Sequence, residues 1–314
     1  MKYHYFNCLV LVFMLSSSLV GQDLHAFVSD TVKGQIWGVN LDEKKEPFHK
    51  ITSLKDKKYP QFYVDGNEQK LYYRDSLSIY EYDLQSNQEK TLITMDQPFF
   101  NFYYAAHEQL FYFTVERIGS FDLWNMDRDG LVKRRSIVLR NYPMRNLQVY
   151  PGPFGNIIWW QEYRKEILEE KVGRGKRRSP WFVVRMDVAN NVSSEFSLSD
   201  VELEEANFFT VDKTGKQLFY SSKQFVHRSK TNGAGAERWM YTEDPEESTV
   251  LEPQGIKVLY EDGESEELYW VDAKLRRLSV CELEGDDVDD RKYDLVREIP
   301  AVPYQLELAW FPKK

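Results

Sequence analysis

The chain has 314 residues, 42% hydrophobic and 15% aromatic, and its 41 basic side chains are outnumbered by 50 acidic ones, for a net charge of −9. An acidic chain is a poor polyphosphate binder, so no nucleic-acid partner is expected. The apolar share is ample for a large core.

Residues 1–21 read as a secretory signal peptide: Lys2 supplies the positive start, Leu9-Val10-Leu11-Val12-Phe13-Met14-Leu15 the apolar centre, and Ser16 to Ser18 with Gly21 the small-residue end. Removing it leaves one domain, residues 22–314, in a secreted, extracellular or periplasmic setting. No later stretch is apolar and long enough to span a bilayer. Of the two cysteines, Cys8 falls in the leader, so Cys281 has no partner for a disulfide; on an alternating strand it reads as a small buried apolar residue.

From residue 25 onward one unit recurs. Its aromatic strand begins near residues 25, 71, 110, 157, 218 and 268, as in Leu71-Tyr72-Tyr73-Arg74-Asp75 and Ile157-Ile158-Trp159-Trp160. Intervals of this size fit propeller blades with loop insertions. Each aromatic strand is followed by a companion, such as Gln35-Ile36-Trp37-Gly38-Val39-Asn40, and most companions end in a polar turn such as Asp129-Gly130 or Asn190-Asn191. Such pairs suit hairpins because the turn requires positive φ. Another apolar run precedes each aromatic strand, and five of the six have Pro60, Pro98, Pro143, Pro253 or Pro303 at or near their start, where a ladder donor can be forgone. A weaker outer strand completes the unit near residues 48–52, 90–94, 136–139, 194–198, 248–251 and 293–296.

The expected fold is therefore all-β: a single six-bladed β-propeller with four-stranded antiparallel blades. The described repeat starts with an aromatic strand and ends, at residues 304–311, with the strand type that should precede it. The C-terminal strand should close the ring inside the first blade, leaving no open edge. Residues 162–171 could form one or two helical turns within an insertion spanning about 162–180.

The last copy, Leu268-Tyr269-Trp270-Val271-Asp272 followed by Leu275 to Gly285, resembles a repeat of the low-density-lipoprotein-receptor class B (YWTD) family. Tyr269, Trp270 and Asp272 match its Tyr-Trp-Thr-Asp strand directly, with Val271 in place of Thr; Tyr72, Tyr73 and Asp75 match more loosely. The resemblance implies a six-bladed propeller that binds proteins or peptides outside the cell.

Strand alternation puts the loops after the aromatic strands and the loops before the Pro-led strands on one face. That face should collect Tyr59, Tyr142, Arg145, Tyr163 and Tyr304, residue types that often anchor binding energy, and they form the candidate binding site. The basic run 171–178 suits an acidic partner or a solvated loop. Residues 286–290, though acidic, lack the glycine and closing glutamate of a calcium loop and read as a solvated turn. Asn191-Val192-Ser193 is a glycosylation sequon on a turn. The four histidines after the leader fall in different strand positions, and no HExxH, Gly-x-Ser-x-Gly or phosphate-cradling glycine loop is present, so no catalytic or metal-binding residue is assigned. Two functions fit: a protein- or peptide-binding module without a cofactor, or a calcium-dependent lactonase- or esterase-like propeller whose carboxylates come from separate blades.

Overall fold

Apolar and polar side chains alternate at a period of two, and Asp-, Asn- and Gly-bearing turns interrupt them, so the described chain is nearly all strand. The computed structural model describes residues 22–166, 171–172, 176–177, 180–197, 206–212, 215–222, 225–231, 237–240, 253–260, 266–283 and 294–312. Residues 1–21, the acidic run 286–290 and the centre of the basic run lie outside these.

Blade 1 contains β1 (Gln22–Asp30), β2 (Gln35–Asn40) and β3 (His49–Ser53), and blade 2 contains β4 (Phe62–Asp65), β5 (Lys70–Arg74), β6 (Ser78–Asp83) and β7 (Gln88–Thr94). Blade 3 contains β8 (Phe100–Ala105), β9 (Leu110–Arg117), β10 (Ser120–Asp127) and β11 (Val132–Arg140). Blade 4 contains β12 (Met144–Pro151), β13 (Asn156–Tyr163), β16 (Trp181–Asp187) and β17 (Val192–Ser197); between β13 and β16 a small ribbon pairs β14 (Lys171–Val172) with β15 (Lys176–Arg177). Blade 5 contains β18 (Ala206–Val211), β19 (Gln217–Ser222), β20 (Phe225–Lys230) and β21 (Glu237–Met240). Blade 6 contains β22 (Pro253–Tyr260), β23 (Glu266–Asp272), β24 (Arg277–Glu282) and β25 (Asp294–Glu298). The final strand, β26 (Pro303–Pro312), lies innermost in blade 1, in the order β26-β1-β2-β3.

Closure is therefore made by hydrogen bonds between the two ends of the ring: β26 runs antiparallel to all of β1, from Gln22↔Pro312 to Asp30↔Pro303, with one irregularity after Val28. The apolar core is divided into seams, one at each junction of neighbouring blades. Phe27 and Ile36 of blade 1 meet Phe62, Leu71 and Tyr73 of blade 2, and Trp159 and Val183 of blade 4 meet Phe209 and Tyr220 of blade 5. Cys281 is buried in the seam with Trp270 and Val226, as expected of a small apolar residue.

The innermost strands of adjacent blades are not paired into one sheet, and buried glutamines bridge them instead. Gln305 Nε2 donates to the Phe62 carbonyl at 2.6 Å while its Oε1 accepts the Phe62 N–H at 3.2 Å. Gln148 Nε2 donates to the Phe209 carbonyl. A buried backbone group left unpaired would cost about 1–3 kcal/mol, which these side chains avoid.

Two expectations need correction. The outer strand of blade 5 is β21, not residues 248–251, which lie outside the described residues; β21 follows β20 closely and pairs with it from Val226↔Met240 to Arg228↔Glu237. The helical turns expected over 162–171 do not begin at residue 162: Glu162 and Tyr163 extend the β13–β16 ladder opposite Phe182 and Trp181, residues 167–170 lie outside the described residues, and Lys171 belongs to the ribbon. In the β4–β5 turn the positive-φ residue is Gln69 (φ 54°), and Gly66 is required because a Cβ there would collide with the Trp310 carbonyl of β26.

Candidate recognition face and channel

The aspartate of the aromatic strand performs a structural task. In blade 1 Asp30 Oδ1 accepts the Val32 and Lys33 N–H groups at 2.8 and 3.2 Å. In blade 2 Asp75 Oδ1 accepts those of Leu77 and Ser78 at 2.8 and 2.7 Å. In blade 6 Asp272 Oδ1 accepts that of Leu275 at 2.6 Å. Asp30 and Asp75 form Asx turns, Asp272 caps the turn one residue further on, and each ends the second strand of its blade and starts the third. Blade 3 has no such aspartate and turns instead through Gly119 at φ 72°.

With their polar groups satisfied internally, these turns can carry any side chain at the tip. The tips of blades 1, 2 and 3 are aliphatic and exposed: Val32 at 61%, Leu77 at 38% and Ile118 fully. All three lie on the face that carries the 164–180 insertion, here called the insertion face. Their signal was present in the sequence, as single aliphatic residues inside otherwise polar turns.

Blade 4 finishes the same position differently. Glu162 is fully buried. It accepts Arg140 Nε at 2.6 Å, Arg164 Nη2 at 2.6 Å and Trp160 Nε1 at 2.8 Å. Both arginines also reach Glu195, at 2.9 Å from Arg140 and 2.8 Å from Arg164. The Arg164 hydrogen bond, backed by Arg140, holds the Glu195 carboxyl down at about 2. Arg164 lies 4.9 Å from the Tyr142 ring centroid and 4.2 Å from that of Phe182. Its backbone N–H meets the Pro180 carbonyl at 2.9 Å, closing the neck of the insertion.

The five candidate residues all lie on the insertion face, in four groups. Arg145 is exposed and sits 5.3 Å from the Trp181 ring, which Tyr163 approaches at 5.1 Å. Tyr142 stacks on Arg164 and donates to Glu166. Tyr304 meets Phe208 at 4.9 Å where β26 and β18 enter the channel. Tyr59 stands apart over Arg74, whose guanidinium lies 4.2 Å from its ring and 4.3 Å from that of Phe99. Arg74 is wholly buried, and burial pushes it down to about 10.

The innermost strands line a channel occupied by groups that sequence reasoning did not single out. Lys257 Nζ is 3.0 Å from Glu307 Oε1, which also accepts Gln305 Nε2 at 2.8 Å. Burial raises the Glu307 carboxyl, an effect that Lys257 opposes. Tyr63, Tyr103 and Tyr150 surround the pair, and burial raises each phenol. Tyr63 and Tyr103 are in edge contact at 4.8 Å. The available signal was a single charge within an apolar inner strand: Lys257 between Ile256 and Val258, and Glu307 between Leu306 and Leu308.

This donor set does not fit calcium, which takes six to eight oxygen ligands; the channel carboxylate already faces an ammonium group. Among the described residues, no group of three or more His, Cys, Asp or Glu could hold a metal ion. Among the same residues, no helix is long and apolar enough to cross a membrane.

No family model and no curated protein matches the chain. Solved structures do. A chain in a crystal structure of a nidogen/laminin complex aligns with a TM-score of 0.59 at 14% identity, covering 91% of this chain and 98% of that one. A putative TolB from Agrobacterium tumefaciens aligns with a TM-score of 0.51 at 11% identity, covering 93% and 99%. These likenesses show the propeller fold.

Proposed function

We propose that the protein is an exported, YWTD-like β-propeller that binds a protein or peptide through its insertion face. The observation that carries this reading is the row of exposed aliphatic tips at Val32, Leu77 and Ile118, the same turn in three successive blades. Single exposed apolar residues are ordinary on a protein surface, but a repeated position is a pattern that fits a partner. The neighbouring blade adds Arg145, Tyr142 and Tyr163, of the residue types that supply most binding energy at interfaces. The fold neighbour crystallised in a complex of nidogen and laminin and the leader-like residues 1–21 support an extracellular or periplasmic setting for such a module.

The test is co-precipitation from the native extracellular fluid or periplasm. Replacing Val32, Leu77 and Ile118 together with serine should leave the thermal transition in place, since exposed positions change stability by about 0.5 kcal/mol or less each. It should reduce recovery of the captured protein about tenfold or more, a loss of at least ~1.4 kcal/mol. Tyr142→Ala with Arg145→Ala should do the same. Undiminished recovery with both variants would remove the insertion face as the binding surface.

A further inference from the structure

The opposite face carries a cavity of about 540 Å³ between blades 1 and 2, where β1 begins and β26 ends. Its volume lies within the range of small-molecule sites, about 300–1,000 Å³. The floor is aromatic. His25 stacks on Phe311 with centroids 4.4 Å apart and an interplanar angle of 24°, and Phe27 lies 5.8 Å from Phe311. Gly38 lets Phe27 and Ile51 pack directly over the β2 backbone: a Cβ there would press on the Phe27 ring at 3.0 Å and on Ile51 at 3.1 Å. A glycine inside a strand weakens it and often marks a close approach by another group.

The rim is acidic, formed by Asp23, Glu43 and Glu46. It is also held in place. Asn40 donates through Nδ2 to Asp23 Oδ2 at 3.4 Å and through its backbone N–H to Glu46 Oε2 at 3.2 Å. Arg297 of β25 donates to the backbone carbonyls of Glu46 and Glu43, at 3.3 and 2.7 Å, and so fixes the rim loop through its backbone. His49 Nδ1 stands 3.6 Å from Glu46. Burial lowers the His25 imidazole, an effect that Asp23, Glu46 and Asp42 oppose.

We infer that this cavity binds a small organic cation, an amine or guanidinium on an aromatic or aliphatic body, with the apolar body on the Phe27–Phe311–His25 floor and the charge among the three carboxylates. A cation gains both from the rim and from the ring faces, whereas an anion is repelled and a neutral analogue gains only the floor. The site is independent of the insertion face.

Titrating the full chain with 2-phenylethylammonium, 2-phenylethanol and 3-phenylpropionate, followed by calorimetry and by the imidazole resonances of His25 and His49, tests it. The ammonium should bind about tenfold tighter than either analogue and shift the His25 resonances. Glu43→Gln with Glu46→Gln should reduce its affinity about fivefold or more at unchanged thermal stability. The serine variant of Val32, Leu77 and Ile118 should bind the ammonium as the wild type does. Equal or absent binding of all three probes, or full ammonium affinity in the double glutamine variant, would overturn the inference.

Discussion

Blades 2 and 4 solve one problem in two ways. In blade 2, Asp75 closes the turn after β5 with two backbone hydrogen bonds, and the chain reverses within four residues. In blade 4 the aspartate is gone. The buried Glu162, gripped by Arg140 and Arg164, holds the base of a long insertion, and Arg164 joins its two ends through the Pro180 carbonyl. The Asx turn is cheap and local, so the residue at its tip is free to vary. The ion-pair network is expensive to desolvate but can support a protrusion. Degeneracy among the repeats thus marks where the ring is differentiated: tips in blades 1 to 3, a braced insertion in blade 4.

The comparison can be broken at several points. It presupposes that blade 1 is completed by β26, so deleting residues 303–314 should have the largest effect, replacing a cooperative thermal transition with a partly folded, aggregation-prone species; a retained sharp transition would mean that the ring does not depend on closure. Next, Glu162→Ala should cost about 3–5 kcal/mol, because it strands two arginines around a buried site, and chemical denaturation measures this directly. Glu307→Ala should cost about 3 kcal/mol, at the low end for breaking a buried pair, since Lys257 keeps 24% of its side chain exposed. Asp75→Ala should cost only about 1–2 kcal/mol, as expected for loss of a cap. In blade 3, Gly119→Ala should cost about 1 kcal/mol, through φ alone, as nothing lies within 4 Å of the added carbon.

The smallest effects concern pH, and their signs differ. Glu195 is held down at about 2 against an ordinary 4.5. Its contribution is therefore complete above pH 4.5 and is lost as pH falls toward 2. Glu307 is raised, so the folded state holds its proton more tightly and stability declines as pH rises from 4.5 through its folded value. Glu195→Gln should flatten the acid limb of a stability–pH profile, and Glu307→Gln the limb above it.

The repeats, the strand order and the closure by residues 304–311 were legible because period-two alternation and turn residues are local signals. The shared face of Tyr59, Tyr142, Arg145, Tyr163 and Tyr304 was legible as well, because strand direction alone determines it. Their division into four groups was not, since it depends on partners such as Trp181 and Phe208 contributed by other strands. The role of Asp30, Asp75 and Asp272 as turn caps, as opposed to a mere family marker, required the hydrogen bonds. The short outer strand β21 lacked a distinctive pattern. The acidic cavity was illegible because β1, β2, β3 and β26 each supply only a residue or two, although Gly38 within an otherwise bulky strand was a hint.

The most direct measurement is site-specific photo-cross-linking in the native extracellular or periplasmic fluid, with the photoreactive residue placed at Ile118 or Tyr142 on the insertion face, or at Asn67 on the opposite one. The account predicts one discrete adduct shared by the first two positions, absent from the third, and lost when Val32 and Leu77 are also changed to serine. Adducts of equal yield from all three positions, or from Asn67 alone, would contradict it.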